Sequence, residues 1–271
     1  MSPSPVIANA PGRIRWRAIG GSMTEIPRSH PRYASLVLRE KLVEGFRAGL
    51  VAPQGLIAHG RGEMFDYILG EKTTKDARAA SRAAAALLLR AKRPVISVNG
   101  NIAALCPKDV VALSKIARTR IEVCLFHRSD ERVSKIQKVL EENGAEDVLG
   151  FLPEERLPGI DHMRGLCCKE GIFSADVALI PLEDGDRAEA LARMGKATIA
   201  IDLNPLSRTS RSATVSIVDE VTRALPELIK NVEDLEDDPK AASAALSKYD
   251  RDANLQAVMA SMGSNLGKLR R

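Results

Sequence analysis

Residues 199–221 read IAIDLNPLSRTSRSATVSIVDEV, and this stretch decides the fold. Apolar runs near 199–201 and 214–218 each end in a polar cluster drawn from Asp, Asn, Arg, Ser and Glu. The pattern predicts strand, polar loop, strand, polar turn. In an open α/β sheet the loops at the carboxyl ends of strands form the ligand crevice. Loops of this chemistry suit a ligand with both anionic and hydrogen-bonding groups, such as a nucleotide.

Upstream, the same alternation continues. Strands are predicted at 95–98, 121–126, 147–151, 176–182 and 197–202, with a last one at 214–218. Helices are predicted between them at 107–118, 130–142 and 187–194. Pro107 and Asp109 suit a helix start, as do Ser129, Asp130 and Glu131, while Asn143-Gly144 and Gly195 suit helix ends. Asp186 with Glu189 resembles a capping box. Strands separated by helices of about a dozen residues imply parallel pairing. Nearly continuous apolar strands imply that both sheet faces are covered. The expected fold class is α/β: a Rossmann-like, doubly wound, mostly parallel sheet over residues 94–225, with N-terminal and C-terminal helical additions.

The flanks read differently. Residues 1–24 mix Pro, Gly, Ser and Arg without a period and are expected to form a flexible tail. Residues 25–93 form an N-terminal helical region. In it a helix is expected over 29–50 with Ser29 as cap and Pro31 in the first turn, then a short apolar element at 55–60, a helix near 63–70 and an Ala- and Leu-rich helix at 75–92. Residues 226–271 are expected to be mostly helical, with a charged joint at EDLEDDPK.

Composition narrows the class. Aromatic residues are only 3% of the chain, which argues against stacking platforms for single-stranded nucleic acid. The net charge of +5 is spread along the sequence, as in a mildly basic globular protein; nucleic acid is not the expected partner. No apolar run reaches the roughly 18 residues of a membrane span. Cys106, Cys124, Cys167 and Cys168 show no C-x-x-C spacing and no zinc pattern, so a reducing cytoplasm is expected.

Several segments carry candidate chemistry. VNGN at 98–101 precedes a helix and offers backbone N–H groups to a phosphate, or is a turn of permissive residues. FHRS at 126–129 places His127 and Arg128 at a strand end, and PLEDGDR at 181–187 packs Glu183, Asp184 and Asp186 around one glycine. In DLNPLSR, Asp202 suits a ribose hydroxyl, Asn204 a purine edge and Arg208 a phosphate. Asp219 and Glu220 either cap a helix or face the same crevice. Arg28, His30, Arg32 and Arg39 supply cations near the N-terminus, and HGRGE sets His59 and Arg61 among glycines that permit close backbone approach. There is no G-x-x-x-x-G-K-[ST] loop, no G-x-G-x-x-G after a strand and no G-x-S-x-G elbow, so any ATP site is built another way.

Taken together, IPRSHPRYASLVLREKLVEG, GLIAHGRGEMFDYILGEKT, VISVNGNIAAL, PLEDGDRAEAL and IDLNPLSRTSRSATVSIVD resemble the archaeal phosphopantothenate synthetases, from about Ile26 to about Leu225. The resemblance implies a homodimeric, Rossmann-like ligase that joins 4-phosphopantoate to β-alanine and splits ATP to AMP and diphosphate, with Mg²⁺. It implies ATP contacts at Arg39, Arg61, Asp202, Leu203, Asn204, Arg208, Thr209, Glu220 and Val221. Glu220 departs from the family pattern, where Asn is frequent, so a backbone contact is the expectation there. The alternatives are another ATP-dependent carboxylate–amine ligase and a non-catalytic nucleotide-binding sensor.

Overall fold

A computed structural model describes residues 13–17 and 23–268. The expected flexible tail falls partly outside them, at 1–12 and 18–22; within it β1 (Arg13–Arg17) and β2 (Met23–Pro27) pair antiparallel. Three helices follow, α1 (Tyr33–Arg47), α2 (Pro53–Leu69) and α3 (Lys75–Arg90). The core then runs β3 (Pro94–Val98), α4 (Gly100–Leu105), α5 (Pro107–Ile116), β4 (Arg120–Val123), α6 (Asp130–Glu142) and β5 (Val148–Leu149). After the small hairpin β6 (Glu155–Arg156) and β7 (Leu166–Cys167) come β8 (Val177–Pro181), α7 (Gly185–Arg193), β9 (Ala197–Ile201), α8 (Arg208–Ser212) and β10 (Val215–Ile217). The chain ends in α9 (Val221–Glu236), α10 (Pro239–Lys248) and α11 (Arg251–Lys268).

The main sheet has six strands in the order β10-β9-β8-β3-β4-β5, every pair parallel. Counted along the chain from β3, that order is 3-2-1-4-5-6 when read from β5, the arrangement of doubly wound dinucleotide folds. The direction of winding reverses between β3 and β8, so the switch point lies over those two strand ends.

Alternation along the strands divides the core. Ile96, Val98, Leu179, Ile199, Ile201 and Val215 face α3, α5, α6 and α9, while Val95, Ala178, Ile180 and Ala200 face α7 and the 157–175 segment. Ala80, Ala83 and Ala84 on α3 are fully buried, and their small side chains let that helix lie close to the sheet. A third cluster, Leu69, Val218, Leu255, Val258 and Met262, seats α11 against the end of α2. Among the described residues no helix is long and apolar enough to cross a membrane.

Four local expectations need correction. First, α1 begins at Tyr33 rather than near Ser29: His30 N–H donates to the Pro27 carbonyl at 2.9 Å and Tyr33 N–H to His30 at 3.0 Å. Pro31 disfavours helix at the residue before it, so these are turns. Second, residues 55–70 are not two pieces; α2 runs unbroken through Gly55, Gly60 and Gly62 and stops at Gly70, whose φ is 89°. Tertiary packing overrides the helix-breaking tendency of these glycines. Third, α4 and α8, of 6 and 5 residues, are too short to show a periodic signature. Fourth, Asp184, not Asp186, caps α7, accepting from Arg187 N–H at 3.1 Å.

Candidate functional site at the carboxyl ends of the strands

The crevice expected at the strand ends has a roof. Gly55 on α2 packs against Asn101, just beyond β3, and Asn101 Nδ2 donates to the Gly55 carbonyl at 2.9 Å. Gly62 faces Leu203, just beyond β9, at 3.7 Å from where a Cβ would sit. Asp66 ion-pairs at 2.5 Å with Arg223, which also holds Asp219 beyond β10 at 2.7 Å. From Gly55 to Asp66 a helix rises about 16 Å, and the three strand spacings from β3 to β10 span about 14 Å. So α2 lies across the carboxyl edge, over the ends of β3, β8, β9 and β10 in turn. A Cβ at 55 would collide with Asn101 Oδ1, so a larger residue there must displace that side chain or lift the helix.

Beneath it the floor is tied together by side chains. Asn99 caps α4, accepting from Asn101 and Ile102 N–H at 3.1 and 3.2 Å. Its Nδ2 donates to the carbonyls of Pro181 and Leu182 at 3.2 and 3.1 Å, stapling β3 to β8 across the switch point. Those N–H groups are therefore already used, and a Cβ at Gly100 would run into the Leu50 carbonyl, so VNGN is a packed corner rather than an open phosphate cradle. Leu182 has φ 52°, a left-handed conformation that costs a non-glycine residue energy and is most often kept where function needs it.

The acidic loop is equally committed. Glu183, with its side chain 10% exposed, pairs with buried Arg187 at 3.0 Å and accepts from Ser97 Oγ at 3.1 Å. Burial raises its carboxyl above the usual range and Arg187 pulls it back. Asp186 is shared by Arg164 and by Arg208, the latter at 2.7 Å, and Arg208 also reaches Glu189 at 3.3 Å. Arg164 lies 4.7 Å over the Phe126 ring and was not expected from sequence; isolated in an irregular segment, it gave no signal.

The expected nucleotide residues fall around this edge. Asp202 accepts from Ser207 Oγ at 2.5 Å and Asn204 N–H at 2.9 Å; burial raises its pKa, while those bonds and the nearby charge of Arg61 lower it. Thr209 Oγ1 donates to the Glu183 carbonyl at 2.9 Å, tying the 202–209 loop to the switch point. Glu220 caps α9 through Thr222 N–H at 2.8 Å, and Val221 behind it is buried. Leu203 meets the roof at Gly62. Arg39 comes from α1 and pairs with Glu63 of α2 at 2.9 Å. Two other expectations resolve structurally: Arg128 donates to the Gly150 and Phe151 carbonyls at 2.6 and 2.9 Å, and Arg32 pairs with Glu63 and Glu71 at 2.8 and 3.0 Å. The four cysteines are free and buried.

Comparison with known proteins places this architecture. Residues 76–265 match the model of the phosphopantothenate/pantothenate synthetase family. Proteins named 4-phosphopantoate–β-alanine ligase are similar along most of the chain. The one from Thermococcus kodakarensis is 47% identical over 249 residues, 91% of this chain and 95% of the relative. That from Methanosarcina mazei is 51% identical over 245 residues, 90% and 96%. That from Methanospirillum hungatei is 56% identical over 213 residues, 79% and 87%. A six-stranded sheet wound about a switch point, roofed by α2 and matched over most of its length, leads to one conclusion: the chain belongs to the phosphopantothenate/pantothenate synthetase family.

Proposed function

We propose that this chain is a 4-phosphopantoate–β-alanine ligase, an enzyme of coenzyme A biosynthesis that forms 4′-phosphopantothenate while ATP becomes AMP and diphosphate. What carries the reading is identity of 47–56% with proteins of that one name, over most of both chains. The roofed crevice suits it. A carboxylate and an amine do not condense readily, because oxygen leaves poorly from a carboxylate. Attack of the phosphopantoate carboxylate on the α-phosphorus of ATP releases diphosphate and leaves an acyl-adenylate. The β-alanine nitrogen then attacks the acyl carbon and AMP departs. Both steps ask the protein for positioning and for neutralisation of phosphate charge.

In this reading Asp202 holds the ribose, and Leu203 and Asn204 line the base. Arg208 and Thr209 take phosphate oxygens, and Glu220 and Val221 close the edge near β10. Arg61 and Arg39 come from the two helices above. Arg208 then exchanges Asp186 and Glu189 for phosphate, which an arginine fork can grip bidentately. Mg²⁺ arrives as part of the MgATP substrate. Among the described residues no group of three or more His, Cys, Asp or Glu could hold a metal. An Mg²⁺ of this kind would be held mainly by phosphate oxygens and water, with at most one or two carboxylates; Asp186 and Glu189, which pair with Arg208, would lie beside it. The acidic loop at 183–186 orients the β-alanine ammonium, and Asp184→Ala therefore raises the β-alanine KM. The same proposal includes a homodimer in the cytoplasm.

The test is AMP formation with each substrate omitted in turn. The ligase reading expects AMP only when ATP, 4-phosphopantoate and β-alanine are all present. A different amine or acid requirement points to another carboxylate–amine ligase, and ATP binding without turnover points to a sensor.

A further inference from the structure

Positions 55, 59, 62 and 66 recur at helical spacing and share the inner face of α2. Gly55 sits over the end of β3 and Gly62 over the end of β9. β8 lies between those strands. His59, midway between the two glycines, is therefore placed over the end of β8, at the switch point.

Each carboxylate of this crevice named here already has at least one protein partner. Glu183 holds Arg187 and Ser97, Asp184 caps α7, Asp202 holds Ser207 and Asn204, and Asp219 holds Arg223 and Thr73. His59 Nε2 is enclosed and has no hydrogen-bond partner. Of the chain's three other histidines, His127 and His162 flank Phe126, whose ring lies under the Arg164 that holds Asp186, but both are exposed. His30 Nδ1 accepts from Arg32 N–H in the turn before α1, His127 is exposed beside Phe126, and His162 precedes the helical turn at Met163.

We propose that His59 is the base of the amide-forming step, which rests on the ligase reading above. The β-alanine nitrogen arrives as an ammonium and gives up two protons: one passes to His59 Nε2 and frees the attacking lone pair, and the second leaves to solvent as the C–N bond forms and the C–O bond to AMP breaks. An amine of this type has an ordinary pKa of about 10, so near neutral pH a proton acceptor at the nitrogen is needed. Burial lowers the His59 pKa below the usual imidazole value, which favours the neutral ring that a base must start from. The charged groups around it are Glu63 and Asp66 on its own helix, which favour protonation, and Arg39 of α1, which opposes it; Glu183 and Asp184 directly follow β8.

The two half-reactions separate the roles. His59→Gln is expected to lower ligation kcat about 100-fold or more, the usual scale of general-base loss. The β-alanine KM should stay within about threefold, a limit set by the same reasoning that the base acts on the attacking nitrogen rather than in binding. Phosphopantoate-dependent exchange of labelled diphosphate into ATP needs no amine and should be unchanged. Hydroxylamine, already neutral at pH 7, should trap the acyl group as well in the variant as in the wild type. The limb due to β-alanine's own ammonium should remain in the variant, and the further break below the ordinary imidazole pKa should disappear. Ligation retained near the wild-type rate, or exchange lost in parallel with ligation, overturns the assignment. Should the variant not fold, the wild-type profile decides: on top of the limb that β-alanine's own ammonium gives, a further break below the ordinary imidazole pKa in ligation but not in exchange supports His59, and its presence in both or absence from ligation overturns it. A wild-type chain that forms no AMP with both substrates removes the ligase reading itself.

Discussion

The floor and the roof of the crevice are built on opposite plans. Below, the polar side chains at the ends of β3, β8 and β9 hold other residues of the floor: Asn99 holds β8, Glu183 holds Arg187 and Ser97, Asp202 holds Ser207 and Asn204. Above, α2 touches the floor through two glycines and one ion pair, and it leaves His59 Nε2 unpartnered. The floor is thus preorganised before any ligand arrives, which lowers the cost of binding a charged substrate. The roof is a single helix laid over it, placing reactive groups without being locked to them.

The contrast can be broken most severely from below. Arg187→Met removes the partner of a buried carboxylate, since Arg187 is 2% exposed. Leaving a buried charge unpaired costs about 3–5 kcal/mol, so thermal unfolding should shift down by roughly 10 °C. A shift under a couple of degrees would mean that the floor does not depend on this pair. The roof is more tolerant, and where it touches matters. Gly55→Ala forces a methyl into Asn101 and should cost about 2 kcal/mol, as overpacking does. It should also raise the ATP KM, because the helix must lift. At Gly60 nothing lies within 4 Å of an added Cβ. Gly60→Ala should therefore stabilise the chain by about 0.5–1 kcal/mol through helix propensity and leave kinetics unchanged. If Gly60→Ala is as harmful as Gly55→Ala, the orientation assigned to α2 is wrong.

The sequence carried the sheet well and the roof poorly, for a physical reason. Buried parallel strands such as PVISV and VALIP announce themselves as continuous apolar runs, and Ser129 and Thr74 mark helix starts by local capping. The acidic and DLN loops were legible because strand ends are where an α/β sheet keeps its polar residues. In α2, by contrast, GLIAHGRGE reads as two pieces around a loop, since Gly55, Gly60 and Gly62 all lower helix propensity. What makes it one helix is contact of Gly55 with Asn101, Gly62 with Leu203 and Asp66 with Arg223, partners far away in sequence, and no local signal reports such contacts. His59 stood out only as a histidine among glycines; its position over β8 depends on that crossing. Arg164 and its share of Asp186 were likewise set by tertiary placement.

The central claim is that roof and floor form one nucleotide site. A double-mutant cycle on ATP affinity, measured by calorimetry for Arg61→Ala, Asp202→Ala and the pair, tests it most directly. Two groups acting on one bound ATP should each weaken affinity tenfold or more, by about 1.4 kcal/mol, and their effects should be non-additive by about 0.5–3 kcal/mol. Two strictly additive effects, or an Arg61→Ala variant that binds ATP like the wild type, would contradict it.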